Sequence, residues 1–206
     1  MENYFSQYGQ DKYIFENYFK QYEDGTYIDI GANDGVSLSN TLFFEQNGWS
    51  GYCFEPIPSV FEKLKTNRPR AKSFNCAIGH ENKEVEFLWV DGEAEMLSSV
   101  LDYCDYNHLY RINKEAHENK DKLNGMQVKM ATLDNFVPID EQIDYLSLDT
   151  EGGEPQILEC ILSKYSPTII SIEVNYDSED HRLMKVIDGK YSIENKLGCD
   201  FILKKI

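Results

Sequence analysis

The sequence predicts an α/β fold built on one mostly parallel, doubly wound sheet, and three observations carry that expectation. Tyr27-Ile28-Asp29-Ile30 has the β-branched and aromatic content of a short buried strand and runs into a turn bracketed by Gly31 and Gly35. Short apolar runs then alternate with helical spacing through most of the chain. Two closing runs, Tyr191 to Glu194 and Phe201 to Lys204, flank Leu197-Gly198-Cys199 and read as an antiparallel hairpin.

Taken in order, residues 1–22 carry apolar side chains at helical spacing over Asp11 to Tyr22, with Asp11 placed to cap that helix. This segment is either a helix packed on the sheet or a flap that lays Gln7 or Gln10 over a ligand. The Gly31–Gly35 turn is followed by a predicted helix over Val36 to Asn47. A second strand, Gly51 to Phe54, ends at Glu55-Pro56, and proline starts the next helix near Pro58, which runs to about Asn67. Lys72 to Cys76 is a third strand, followed by Ala77-Ile78-Gly79, and Glu84 to Val90 alternates as a further strand.

Residues 91–125 are polar and weakly patterned, with a short helix expected near Ile112 to Lys122; an insertion of this length is read as the acceptor-side variable region. Met126 to Ala131 and Ile143 to Leu148 are strands, and the second ends in Asp149-Thr150-Glu151-Gly152-Gly153-Glu154-Pro155. Pro155 suits the first turn of a helix reaching Leu162. Pro167 to Asn175 is another buried strand and Ser178 to Ile187 a helix. With no repeat or linker, residues 1–206 read as one domain.

Composition narrows the chemistry. A formal net charge of −16 disfavours nucleic acid, whose phosphates are held by Lys and Arg, and suits a small neutral or cationic partner. Five singly placed cysteines read as reduced thiols of a cytoplasmic protein. No apolar run approaches the ~18 residues of a membrane span, and the N-terminus lacks a leader's basic-then-apolar layout.

In a doubly wound sheet, ligands bind beyond the carboxyl ends of the strands. Glu55 lies there, ~20 residues past the glycine turn, where nucleotide folds place an acid for ribose hydroxyls. The other strand ends are acidic, and the turn contains Asp34 and lacks the third glycine of G-x-G-x-x-G. Both features argue against a pyrophosphate, hence against a nicotinamide-dependent oxidoreductase, and favour a cationic cofactor.

The run Tyr27 to Gly35 is joined by Ser39-Asn40-Thr41, Gly48-Trp49-Ser50-Gly51 and Phe54-Glu55-Pro56. With Ser6 to Asp11, Ile143 to Gly152 and Ile172-Glu173-Val174-Asn175, it resembles the FkbM family of S-adenosylmethionine-dependent O-methyltransferases over nearly the whole chain. The resemblance implies a single-domain class I, Rossmann-like methyltransferase fold, with a mostly parallel seven-stranded sheet and an antiparallel C-terminal strand. It implies S-adenosyl-L-methionine as cofactor, with Asp29, Gly31, Asn33, Asp34, Gly35, Asn40 and Thr41 at its methionine part, and Gln7 over it from the flap. Glu55 would take the ribose hydroxyls, with Pro56, Ile57, Ala77 and Ile78 around the adenine.

Methyl transfer to a hydroxyl needs a base or a metal to take the proton. Asp149 is the first candidate, also close enough to face the cofactor, with Glu173 and His181 as further catalytic candidates. Asp149, Glu173 and Asn175 could form an oxygen-rich site for a divalent cation such as Mg²⁺. The acceptor is expected to be a hydroxyl of a sugar or glycosylated small molecule. A nicotinamide-dependent Rossmann oxidoreductase and a non-catalytic cofactor-binding module of the same fold are the alternatives.

Overall fold

A computed structural model describes residues 3–175 and 177–206, without the side chains of 177–179. Met1, Glu2 and Tyr176 lie outside the described residues. The strands are β1 (Thr26–Ile30), β2 (Ser50–Phe54), β3 (Lys72–Phe74), β4 (Ala77–Ile78), β5 (Lys83–Asp91), β6 (Ser99–Val100), β7 (Lys122–Ala131), β8 (Tyr145–Leu148), β9 (Ile169–Glu173), β10 (Tyr191–Leu197) and β11 (Asp200–Lys205). The α-helices are α1 (Gln10–Ile14), α2 (Leu42–Gln46), α3 (Pro58–Asn67), α4 (Tyr106–Asn119), α5 (Glu154–Leu162) and α6 (Asp177–Ile187).

Seven strands form the main sheet in the order β10-β11-β9-β8-β1-β2-β3. β11 runs antiparallel to both β9 and β10, and the remaining pairs are parallel. The class I methyltransferase fold expected from the sequence is therefore present, with its antiparallel C-terminal strand. The order reverses between β1 and β8, and this switch point opens a crevice beyond their carboxyl ends.

Alternation of side chains along β1 explains how both sheet faces are covered. Ile28 and Ile30 join the core beneath α5 and α6, with Leu146, Leu148, Ile157 and Leu183. Tyr27 faces the opposite core, where Ile14, Phe19, Phe43, Phe44, Trp49 and Leu64 pack.

Local chemistry corrects several sequence expectations. The helix expected over Val36 to Asn47 is reduced to α2, because polar side chains take the amides a helix would need. Asp34 accepts from Val36 N–H and Ser37 N–H, Ser39 Oγ accepts from Thr41 N–H and Leu42 N–H, and Leu38 sits at φ 55°. Asp11 does not cap α1; its carboxylate accepts from Phe5 N–H and Ser6 N–H and folds the preceding turn, and α1 passes into a π-turn over Phe15–Phe19. The third strand stops at Phe74, two residues short of Cys76.

The largest correction lies in the region read as unpatterned. β5 and β7 pair antiparallel from Lys83↔Met130 to Asp91↔Lys122, and β4 and β6 flank them to complete a second, four-stranded sheet. Between them α4 begins six residues earlier than expected, because the Asp105 carboxylate caps it through His108 N–H, and it ends where Lys120 turns left-handed.

Candidate active site

The crevice at the switch point deepens into a cavity of about 510 Å³, within the roughly 300–1,000 Å³ usual for small-molecule sites. Its floor is built from the ends of β1, β2, β8 and β9 and the segments that follow them. The N-terminal turn contributes Gln7, Tyr8 and Gln10, and the second sheet with α4 closes the far wall through residues such as Glu93, Met96, Tyr103, Arg111 and Glu115.

Two glycines shape the floor. Gly31, at φ +87°, approaches β8 so closely that a Cβ would lie 1.7 Å from the Asp149 carbonyl oxygen. This contact sets the Asp149 side chain beside the glycine turn. Gly35, at φ +79°, is tight for a different reason: a Cβ would meet the Arg68 and Leu64 side chains.

Of the residues expected to hold a cofactor, Gln7, Asp29, Gly31, Asn33, Asn40, Glu55, Pro56, Ile57, Ala77, Ile78 and Asp149 line the cavity. Asp34, Gly35 and Thr41 do not. Asp34 closes its own turn, and Thr41 donates its hydroxyl to Asp29 Oδ2 at 2.6 Å. Glu173 and Asn175 line the cavity with Asp149, whereas His181 is exposed on α6 and outside its walls.

The Glu55 carboxylate accepts from Ile57 N–H at 2.7 Å and Asn33 N–H at 3.1 Å, which ties the glycine turn to the end of β2. Burial raises its pKa to about 7 against the opposing pull of those two amides. Asp149, Glu151 and Glu173 bring carboxylate oxygens within 4.8 Å of one another, a spacing that a divalent cation can also use. Burial, then mutual repulsion, pushes these acids up, with Glu151 and Glu173 each reaching about 8. Asp149 is half-buried by accessibility because it opens onto the cavity, yet the walls close round it. Burial and the Glu173 charge therefore still carry it well above the ordinary carboxylate range.

Among the described residues, Asn40 Oδ1 is a buried acceptor in this cavity that lacks a donor. An unpaired buried acceptor is costly, so such a site fits a ligand that brings N–H donors or positive charge. The ammonium and sulfonium of S-adenosylmethionine have that character.

Sequence reasoning missed Arg111, the only basic residue among the described residues lining the cavity. From α4 it reaches Glu151 Oε2 at 3.3 Å and Glu115 at 3.0 Å, and buried His108 stands 3.8 Å from the same Glu151 oxygen. Gln10, expected as a flap residue, donates its amide to Asp200 Oδ2 at 2.7 Å and fastens the N-terminal turn to β11. Glu154 accepts from Thr150 N–H and Gly152 N–H and folds the turn that presents Asp149 and Glu151.

The profile of a family described as the methyltransferase FkbM domain matches residues 29–193. The chain belongs to the FkbM methyltransferase family. That membership carries S-adenosylmethionine dependence and sets aside the nicotinamide oxidoreductase.

Among solved structures, the FkbM chain is similar to a candidate rRNA methylase from Clostridium thermocellum. Identity is 12%, coverage is 100% of this chain and 98% of the other, and the TM-score is 0.50. A TehB-like SAM-dependent methyltransferase from Corynebacterium glutamicum is 11% identical, with 97% and 86% coverage and a TM-score of 0.46. Identity this low speaks to fold and not to acceptor. No curated protein matches the chain by sequence. Among the described residues no helix is long and apolar enough to cross a membrane, and all five cysteines are free thiols.

Proposed function

We propose that this FkbM domain is an O-methyltransferase that methylates a hydroxyl of a sugar or glycosylated small molecule. The observation that carries the reading is the Asp149–Glu151–Glu173 cluster, proton acceptors gathered at the cavity wall beside the glycine turn. S-adenosylmethionine, when bound, supplies the electrophilic methyl group. Gly31, Asn33, Asn40 and Asp29 would hold its methionine end, Glu55 its ribose hydroxyls, and Pro56, Ile57, Ala77 and Ile78 its adenine.

An acceptor hydroxyl is a weak nucleophile near neutral pH. Orienting it can supply about 7–11 kcal/mol, and a positioned base typically adds about 10²–10⁴-fold. Asp149, ionised, is the base in this reading, with Glu173 beside it to share the proton and Glu151 held by Arg111 on the acceptor side. His181 has no part in it, being outside the cavity walls. A polyanionic acceptor is disfavoured because Asp29, Glu55, Glu93, Glu95, Glu115, Asp149, Glu151, Glu173 and Asp200 line the cavity against a single Arg111. Free thiols suit a cytoplasmic setting.

The test is transfer of isotope-labelled methyl from S-adenosylmethionine to neutral glycosides, acidic glycosides and RNA, read by mass spectrometry. Label on neutral glycosides is expected. Label on RNA alone, or cofactor binding with no transfer to any acceptor, would overturn it. The spacing of the Asp149, Glu151 and Glu173 carboxylates also favours a second reading, in which Asp149 and Glu173, with Asn175 lining the same cavity, hold a divalent cation. Loss of transfer in EDTA with recovery in Mg²⁺ would support that reading, and full activity in EDTA would end it.

A further inference from the structure

Beneath the glycine turn lies a buried charge that the chemistry above does not use. Arg68 follows α3 and is 0% exposed. Its Nε donates to Glu45 Oε2 at 2.6 Å, its Nη1 to the Gly35 carbonyl at 3.1 Å and Ser39 Oγ at 3.3 Å, and its Nη2 to Thr41 Oγ1 at 3.1 Å. The guanidinium lies 5.2 Å from the centroid of the Tyr27 ring, and the Tyr27 hydroxyl donates to the same Glu45 oxygen.

A buried ion pair is poor ground for stability by itself, since desolvation offsets the attraction and apolar replacement is often neutral. What Arg68 does that an apolar side chain cannot is grip one loop at three points. Gly35, Ser39 and Thr41 bracket a segment that contains Leu38 in a left-handed conformation, a shape that a free loop would relax. Between two of those points sits Asn40, whose Nδ2 donates to Ser147 Oγ at 3.2 Å while its Oδ1 stays buried and unpaired in the cavity wall. The second glycine of the motif has its steric reason in the same residue, because a Cβ on Gly35 would lie 2.5 Å from Arg68 Cγ.

We propose that Arg68 is a positioning residue for the cofactor: it presets the 35–41 loop so that the Asn40 amide oxygen faces the cavity before any ligand arrives. The proposal rests on the reading that the Asn40 end of the cavity receives S-adenosylmethionine. Preorganisation of this kind appears in binding and not in the chemical step.

The experiment compares wild type with the combined Tyr27→Phe, Glu45→Leu, Arg68→Met variant, which removes the charges together with the hydroxyl that would lose its acceptor. A cooperative unfolding transition is expected at a lower melting temperature than wild type, because the Gly35 carbonyl, Ser39 Oγ and Thr41 Oγ1 lose their Arg68 donor. Calorimetric affinity for S-adenosylhomocysteine should weaken about tenfold or more, with KM for S-adenosylmethionine rising in step and kcat within about threefold. A folded variant with wild-type affinity would overturn the proposal. Should the variant not fold, hydrogen exchange on the wild type decides. The Gly35, Ser39 and Thr41 amides should be as protected in the free protein as in the complex, and exchange at unstructured rates until ligand is added would overturn it. Absence of any heat with wild type would instead overturn the cofactor reading, so the two failures are distinguishable.

Discussion

Replacing Asp149 with Asn is expected to lower kcat by about 10²–10⁴-fold, the usual worth of a positioned base, while the protein stays folded. The substitution keeps the shape, and the Asp149 N–H still donates to the Ile30 carbonyl at 3.0 Å. The carboxyl lies beside Glu173 and Glu151, and burial and repulsion push it well above its ordinary range. It is therefore a cost to the fold, and removing its charge should leave the melting temperature unchanged or higher. Activity and stability should move in opposite directions. Steady-state kinetics and a thermal melt on one preparation check both, and a variant that loses stability and activity together would place Asp149 in the scaffold instead.

The largest expected effect on stability is at Gly31. An alanine there must hold φ near +87° and place its Cβ 1.7 Å from the Asp149 carbonyl oxygen. Neither side can yield cheaply. The Gly31 and Ala32 amides donate to the Phe54 carbonyl at 3.1 and 3.0 Å, and β1 and β8 are paired along their length. Left-handed strain and overpacking together give about 3–5 kcal/mol for Gly31→Ala. Gly189→Ala is the control: φ is +65° but no atom lies within 4 Å of its Cβ, so only about 1–2 kcal/mol of backbone strain is expected. Urea unfolding of the two variants measures the difference, and equal losses would show that the close approach to β8 contributes nothing.

What could be read from the sequence was chemistry that is local along the chain. The strand–glycine–acid order that runs Tyr27-Gly31-Glu55, and Asp149 at the end of a buried strand, follow from short-range patterns of β-branched residues, glycine and proline. The family's motifs fall on those same stretches, so the main sheet and most of the cavity floor were legible. Side chains that reach across the fold were not. Arg68 meets Gly35 and Glu45 only after α3 has packed, and nothing in Asn67-Arg68-Pro69 signals a buried cation. Arg111 meets Glu151 only once the second sheet has formed, and that sheet rests on pairing Lys83 to Asp91 with Lys122 to Met130 across the whole insertion. Asp34 and Gly35 were read as ligand-facing because they belong to the motif; one closes its own turn and the other makes room for Arg68. The shortening of α2 had a local cause that was overlooked, the density of Asp, Ser, Asn and Thr between Asp34 and Thr41.

The acidic lining of this cavity suits the positive charge of S-adenosylmethionine. In the free protein at about pH 7.5, Glu151 and Glu173, with pKa values of about 8, hold protons that a cationic ligand displaces. Binding should therefore release protons, and affinity should rise with pH up to about 8, where those acids are ionised without the ligand's help. Calorimetric titration of the wild-type protein with S-adenosylmethionine in phosphate and in Tris reads this directly. Binding is expected to be more exothermic in Tris, because Tris takes up the released protons with the larger heat. No binding, a heat independent of buffer, or a heat less exothermic in Tris would contradict it.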